Sequence, residues 1–125
     1  MKIIAMGMDD NNRSMYTDID IPLRQVTPLH AISEKQEAAY WGIGKSQPYP
    51  DGGGMQGMAL TNEARIVWFM NGHSEITMQN GDTRRFAAGQ QVFVHGKAPH
   101  RSIHKSPDTV TLAVTFKATD GYTFK

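Results

Sequence analysis

The sequence predicts an all-β single domain, a sandwich or barrel of antiparallel strands, and three observations predict it. Apolar residues alternate at period two through most of the second half, as they do in strands with one buried face. Candidate strands start about every 8–12 residues, the spacing of sandwiches and barrels rather than of strand–helix repeats. Glycine turn words separate them: Asn71-Gly72, Asn80-Gly81 and Ala88-Gly89.

Taken in order, "KII" near the start and "YTDIDIPL" at 16–23 read as strands at the edge of the sheet. Residues 31–44 leave two readings open. Ser33 to Glu37 has the residues for a cap and one helical turn, and 38–44 reads as strand. Residues 46–57, with two Pro and four Gly, form a loop by composition. "RIVWFM" at 65–70 and "SEITMQ" at 74–79 are strands, each followed by Asn-Gly. Asn-Gly between alternating segments is a strong hairpin signal, because a two-residue turn needs positive φ at both positions. "DTRRF" at 82–86 returns, Ala88-Gly89 turns, and "QVFV" at 91–94 follows. After the Pro99 loop comes a strand at 100–104, a turn at 105–108, and "TVTLAVTF" at 109–116, with Val110, Leu112, Val114 and Phe116 on one face.

Composition narrows the function classes. A chain of 125 residues is long enough for one proper core, and no repeat, linker or second domain interrupts it. Lys and Arg number 13 against 12 Asp and Glu, with no basic stripe, which argues against a nucleic-acid partner. No apolar run approaches the ~20 residues that span a bilayer, so no membrane partner is expected. The start, "MKIIAMGMDD", is too short and too soon acidic for a signal peptide, and a cytoplasmic protein is expected. Without Cys there is no disulfide, thiolate nucleophile or Cys zinc site, which fits a reducing compartment. The sequence also lacks G-x-S-x-G, a P-loop, a dinucleotide fingerprint and H-E-x-x-H. "DGGGMQG" precedes a strand rather than opening a helix, so it is no Rossmann phosphate loop.

The run from Gly72 to His100 resembles the cupin superfamily. Its matching words are Gly72, Asn80-Gly81-Asp82 with "TRRF" after it, Gly89, and Pro99-His100. The resemblance implies one cupin-like domain over 1–125, an antiparallel jelly-roll barrel with the core of the motif at 58–116 and the N-terminal strands at its edge. It implies a site inside the barrel and a chain that is often dimeric. It also implies a metal held by two His and a Glu of a first motif and a His of a second. The second-motif His falls on His100, but the Glu position falls on Arg65, and the first His pair falls near Met58 and Leu60, or Ala59 and Thr61. A guanidinium stays protonated and repels a cation. The usual metal centre is therefore not expected, and no cofactor is.

His100 has a bland reading, a ring hydrogen-bonded beneath the Pro99 loop, and a functional one, proton transfer with a pKa tuned by burial. Ser102 and His104 share its face on a regular strand. The two imidazoles are then ~13 Å apart by strand rise, too far to chelate one ion, and His104 is expected near the rim or solvent. His95 reads as a surface turn residue, His73 as outward-facing, and His30 has no motif around it. Arg65 is either a strand Arg with its head in water or an inward guanidinium that needs an anionic partner: Glu63, Glu75, or a ligand carboxylate, enolate or phenolate. Val67 and Phe69 share its face. Trp68 points the other way, a position suited to a dimer interface.

The apolar wall expected around the site is Met58, Leu60, Val67, Phe69, Ile76, Met78, Val92 and Val94, with Ser102 and Trp41 as further substrate contacts and Met side chains as adaptable filler. The reading is a small-molecule enzyme, independent of metal, with isomerase, cyclase or lyase chemistry in which His100 moves the proton and Arg65 stabilises the oxyanion. The partners expected are a small-molecule substrate and a second copy in a homodimer. Two alternatives stand beside it: a dioxygenase-like cupin that holds a divalent metal with substituted ligands, and a barrel that binds a small molecule without reacting it.

Overall fold

The structure, a computed structural model, describes residues 1–33, 38–45, 64–94 and 98–116. Met58, Leu60, His95, Glu63, the loop at 46–57 and the helical turn at 34–37 lie outside these residues. Every regular element described is a strand, and among the described residues no helix is long and apolar enough to cross a membrane. In chain order they are β1 (Lys2–Met8), β2 (Ser14–Asp20), β3 (Arg24–Thr27), β4 (His30–Ile32), β5 (Ala38–Lys45), β6 (Arg65–Asn71), β7 (His73–Met78), β8 (Thr83–Ala87), β9 (Gln91–Val94), β10 (His100–His104) and β11 (Val110–Phe116).

A six-stranded sheet runs β2-β1-β9-β6-β11-β5 and a three-stranded sheet runs β10-β7-β8, while β3 and β4 form a small hairpin apart. The first two pack face to face. Met6, Tyr16, Phe69, Val92 and Val94 come from the larger sheet and Ile76, Met78 and Phe86 from the smaller, and together they form the main core. Phe86 stacks on Phe69 at 5.4 Å between ring centroids and meets Tyr16 at 6.0 Å. The Tyr16 hydroxyl donates to the Ile76 carbonyl, one more tie between the sheets; burial holds its phenol protonated well above the ordinary range. A second cluster, Ile3, Ala5, Ile21, Ala64 and Phe93, sits on the opposite face of the six-stranded sheet, where alternation sends the other set of side chains.

Three expectations need correction. The described sheets do not close into a hydrogen-bonded barrel; the three-stranded sheet keeps its own ladder. Asn71-Gly72 is not a hairpin turn. β6 pairs with β9 and β11, β7 pairs with β8 and β10, so at Gly72 the chain leaves one sheet for the other. Gly72 has φ 67°, and a Cβ there would lie 2.7 Å from the Thr109 backbone, so this corner admits only glycine. Asn80-Gly81 does close a hairpin, β7 to β8, but only Gly81 has positive φ, at 91°. Gly81 N donates to Met78 O at 3.0 Å and Met78 N to Asp82 O at 3.0 Å, which makes a type I turn followed by a glycine bulge instead of a two-residue turn.

β2 forms the edge of the large sheet, as expected for an N-terminal strand, whereas β1 lies one place in and pairs in parallel with β9 through Ala5–Phe93 and Met6–Val94. On β11, Leu112 and Val114 pair with Trp68 and Ile66 on the outer face. Thr111, Ala113 and Thr115 therefore face the smaller sheet. Register shifts at Val110/Thr111 and Thr115/Phe116 interrupt the alternation at both ends of the strand.

Candidate functional site

Between the two sheets lies a cavity of about 120 Å³. β6 contributes Arg65, Val67 and Phe69, alternate residues on its inner face; β9 contributes Val92 and Val94, and β7 contributes Ile76. β10 contributes His100, Ser102 and His104, three alternate residues of one strand. Met6 and Thr111 complete the lining. Most of the residues singled out in the sequence thus meet in one place. Met78 is fully buried in the core beside it, paired with His100 across the ladder, and does not reach the cavity.

Trp41 does not join them. It pairs with Val114 on the outer face of the large sheet and is 67% exposed, so it is no wall of the site. On the inner face of β5, Gly42 and Gly44 stand opposite Ala113 and Thr111. His104 also lines the cavity, half-buried, with the fully buried Ser74 as its partner across the ladder.

The hydrogen bonds of the two imidazoles define their chemistry. His100 is buried, and its Nδ1 lies 3.0 Å from the Ala98 carbonyl oxygen. A carbonyl only accepts, so Nδ1 carries the proton and Nε2 keeps its lone pair. Burial lowers the pKa of His100 below the ordinary 6.5; the Ala98 bond opposes this, and the Arg65 guanidinium adds to the lowering. The ring is neutral at pH 7, with Nε2 free of any partner among the described residues.

Arg65 faces it from the other sheet. Its Nε is buried and has no hydrogen-bond partner among the described residues, and neither has the buried hydroxyl of Thr115, its partner across the ladder. A buried polar atom left unpaired costs about 1–3 kcal/mol, and here two stand side by side on one ladder. Thr111, Thr115 and Met6 are absent from the residues that the sequence singles out. The two threonines are readable in principle, since they alternate with the apolar face of β11, but only the pairing with β6 shows which face looks inward.

The resemblance to cupins implies a metal. Among the described residues no three His, Asp or Glu side chains are grouped to hold one. Two imidazoles at i and i+4 of one strand, about 13 Å apart at their Cα atoms, with a guanidinium facing one of them, are a donor set that disfavours a cation, so these residues do not fit the ion.

No family model matches the chain, and no curated protein matches it. Among solved structures it is similar to protein NMB1881 from Neisseria meningitidis, at 13% identity over 66% of this chain and 84% of that one, with a TM-score of 0.50. It is similar to a cupin protein from Bacteroides fragilis at 18% identity, over 78% of this chain and 93% of that one, with a TM-score of 0.47. It is similar also to WlaRA, a TDP-fucose-3,4-ketoisomerase from Campylobacter jejuni, at 15% identity, over 84% of this chain and 85% of that one, with a TM-score of 0.38. At these identities the likeness is one of fold alone: the chain shares an all-β fold with protein NMB1881.

Proposed function

We propose that the chain is a small-molecule enzyme that moves a proton at a carbon next to a carbonyl, the step common to isomerases and to many cyclases and lyases, without a metal ion. The observation that supports it is the unprotonated Nε2 of His100 and the unpaired Nε of Arg65 in one largely apolar cavity.

Each part has a role. His100 Nε2 takes the proton from the carbon, and the C–H electron pair moves into the carbonyl, leaving an enolate oxygen. Arg65 holds that oxygen, a fixed positive charge where negative charge develops. The protonated ring then returns its proton to the same carbon or, where that carbon bears a hydroxyl whose proton passes to the enolate oxygen, to the former carbonyl carbon, so that only hydrogens change position. The Ala98 carbonyl keeps the ring in the tautomer that can accept. Val67, Val92 and Ile76 exclude water, which strengthens the guanidinium's effect.

The test is proton exchange in D2O with a panel of small ketones and oxo-carboxylates, followed by ¹H NMR. Wild-type protein washes out the signal of the proton next to the carbonyl in at least one member. His100→Ala lowers that rate about 10²- to 10⁴-fold, and Arg65→Met about 10²- to 10³-fold. Exchange that survives His100→Ala overturns the reading. A compound that binds and raises thermal stability yet never exchanges makes the chain a binding module instead.

A further inference from the structure

Proton transfer by His100 uses only one end of the cavity. β6 enters at Arg65 and runs past Phe69 to the Gly72 corner, where the chain turns directly into β7. Ser74, near the start of β7, pairs with His104 of β10. The Arg65–His100 end and the Phe69–His104 end are therefore opposite ends, with the two imidazole-bearing Cα atoms about 13 Å apart along the strand. Val67, Val92 and Ile76 lie between.

The far end has its own chemistry. His104 Nδ1 lies 2.8 Å from the hydroxyl of Ser74. Ser74 is fully buried, and its hydroxyl has no other partner among the described residues. If the ring donated this bond, the serine proton would be buried without an acceptor, a cost the alternative avoids. The serine therefore donates, Nδ1 accepts, and the ring proton sits on Nε2. His104 thus carries the opposite tautomer to His100 and offers an N–H donor where His100 offers a lone pair. Burial favours the neutral ring here too.

We infer that His104, set by Ser74, is a substrate-positioning donor, and that the ligand is two-ended: a carboxylate or enolisable oxo group at Arg65, an apolar middle, and an uncharged hydrogen-bond acceptor at His104. The inference rests on the proposed ligand site at Arg65 and adds the length and polarity of what fills it. A second carboxylate would meet no cation at the His104 end among the described lining residues, and an ammonium would meet an N–H donor. A neutral carbonyl or ether oxygen satisfies it.

The probes are linear carboxylates, each paired with its ω-methoxy counterpart, which adds an acceptor and no donor. Wild-type protein binds the methoxy member of the fitting pair about 3- to 10-fold more tightly. His104→Leu erases that preference, whereas Arg65→Met weakens both members alike. In ¹⁵N spectra of the histidine rings, wild-type His104 is the Nε2–H tautomer and His100 the Nδ1–H tautomer, and Ser74→Ala turns His104 into a mixture. Carboxylates that bind through Arg65 without an ω-methoxy preference, a preference that survives His104→Leu, or an Nδ1–H tautomer at wild-type His104 overturn the inference and leave the His100–Arg65 reading intact. Carboxylate binding untouched by Arg65→Met overturns the proposed site itself.

Discussion

The hydroxyl of Ser14 donates to the carbonyl of Pro99, 85 positions away in sequence and next to His100. The same hydroxyl accepts from Gln79 N at 2.8 Å, and Ser14 N donates to the Gln79 side-chain oxygen at 2.9 Å. One fully buried serine at the start of β2 thereby ties the β7–β8 hairpin to the segment that carries the proposed base. Ser14→Ala leaves Pro99 O and Gln79 N unpaired. It is expected to cost about 1–3 kcal/mol in urea unfolding and to shift the ring signals of His100. Unchanged stability together with unchanged His100 signals would contradict this role.

Phe86 is the bolt between the sheets. It is 1% exposed and stacked on Phe69. Phe86→Ala opens a cavity and is expected to cost about 3–5 kcal/mol, measured as the change in free energy from urea unfolding. A loss under ~1 kcal/mol would mean that the two sheets close over the gap.

Two glycines separate conformational strain from steric conflict. Gly81 (φ 91°) has open space where a Cβ would stand, so Gly81→Ala carries only the left-handed penalty of about 1–2 kcal/mol. Gly72 (φ 67°) carries that penalty and also a 2.7 Å approach to the Thr109 backbone. Gly72→Ala is expected to be clearly the worse of the two in melting temperature. Equal effects would argue that the Gly72 corner is free to move.

Stability should fall as pH drops below neutral, and the sign follows from the histidines. His100 and His104 both have folded pKa values below the ordinary 6.5, chiefly because they are buried. Below that ordinary value the unfolded chain binds protons that the folded chain resists, which favours unfolding. The loss begins as pH falls through about 6.5 and levels off once the folded rings also titrate. Urea midpoints between pH 8 and 5 read it, and a His100→Gln, His104→Gln double variant should flatten the curve. A variant that keeps the full slope places its origin in other groups.

Much of the site is legible in the amino-acid order. Arg65, Val67 and Phe69 share a face, as do His100, Ser102 and His104, because alternation is a local property of extended backbone and needs no partner to be read. The reading of Trp41 as a substrate contact fails, because pairing with Val114 sends the ring outward. Nothing near His104 in sequence announces its partner Ser74, which lies 30 positions earlier.

Periodicity and turn chemistry thus carry the all-β class, the strand boundaries of the second half, and which residues of each strand look the same way. They do not say which faces meet. Asn71-Gly72 and Asn80-Gly81 are the same dipeptide, yet one is a corner between sheets and the other a hairpin. Long-range pairing makes that choice, as it brings Arg65 over His100 and gives the two imidazoles opposite tautomers through a carbonyl behind one and a buried hydroxyl behind the other. A strand's own dihedrals orient its side chains, but a ring's proton goes where its neighbour leaves an acceptor, and neighbours are set by packing.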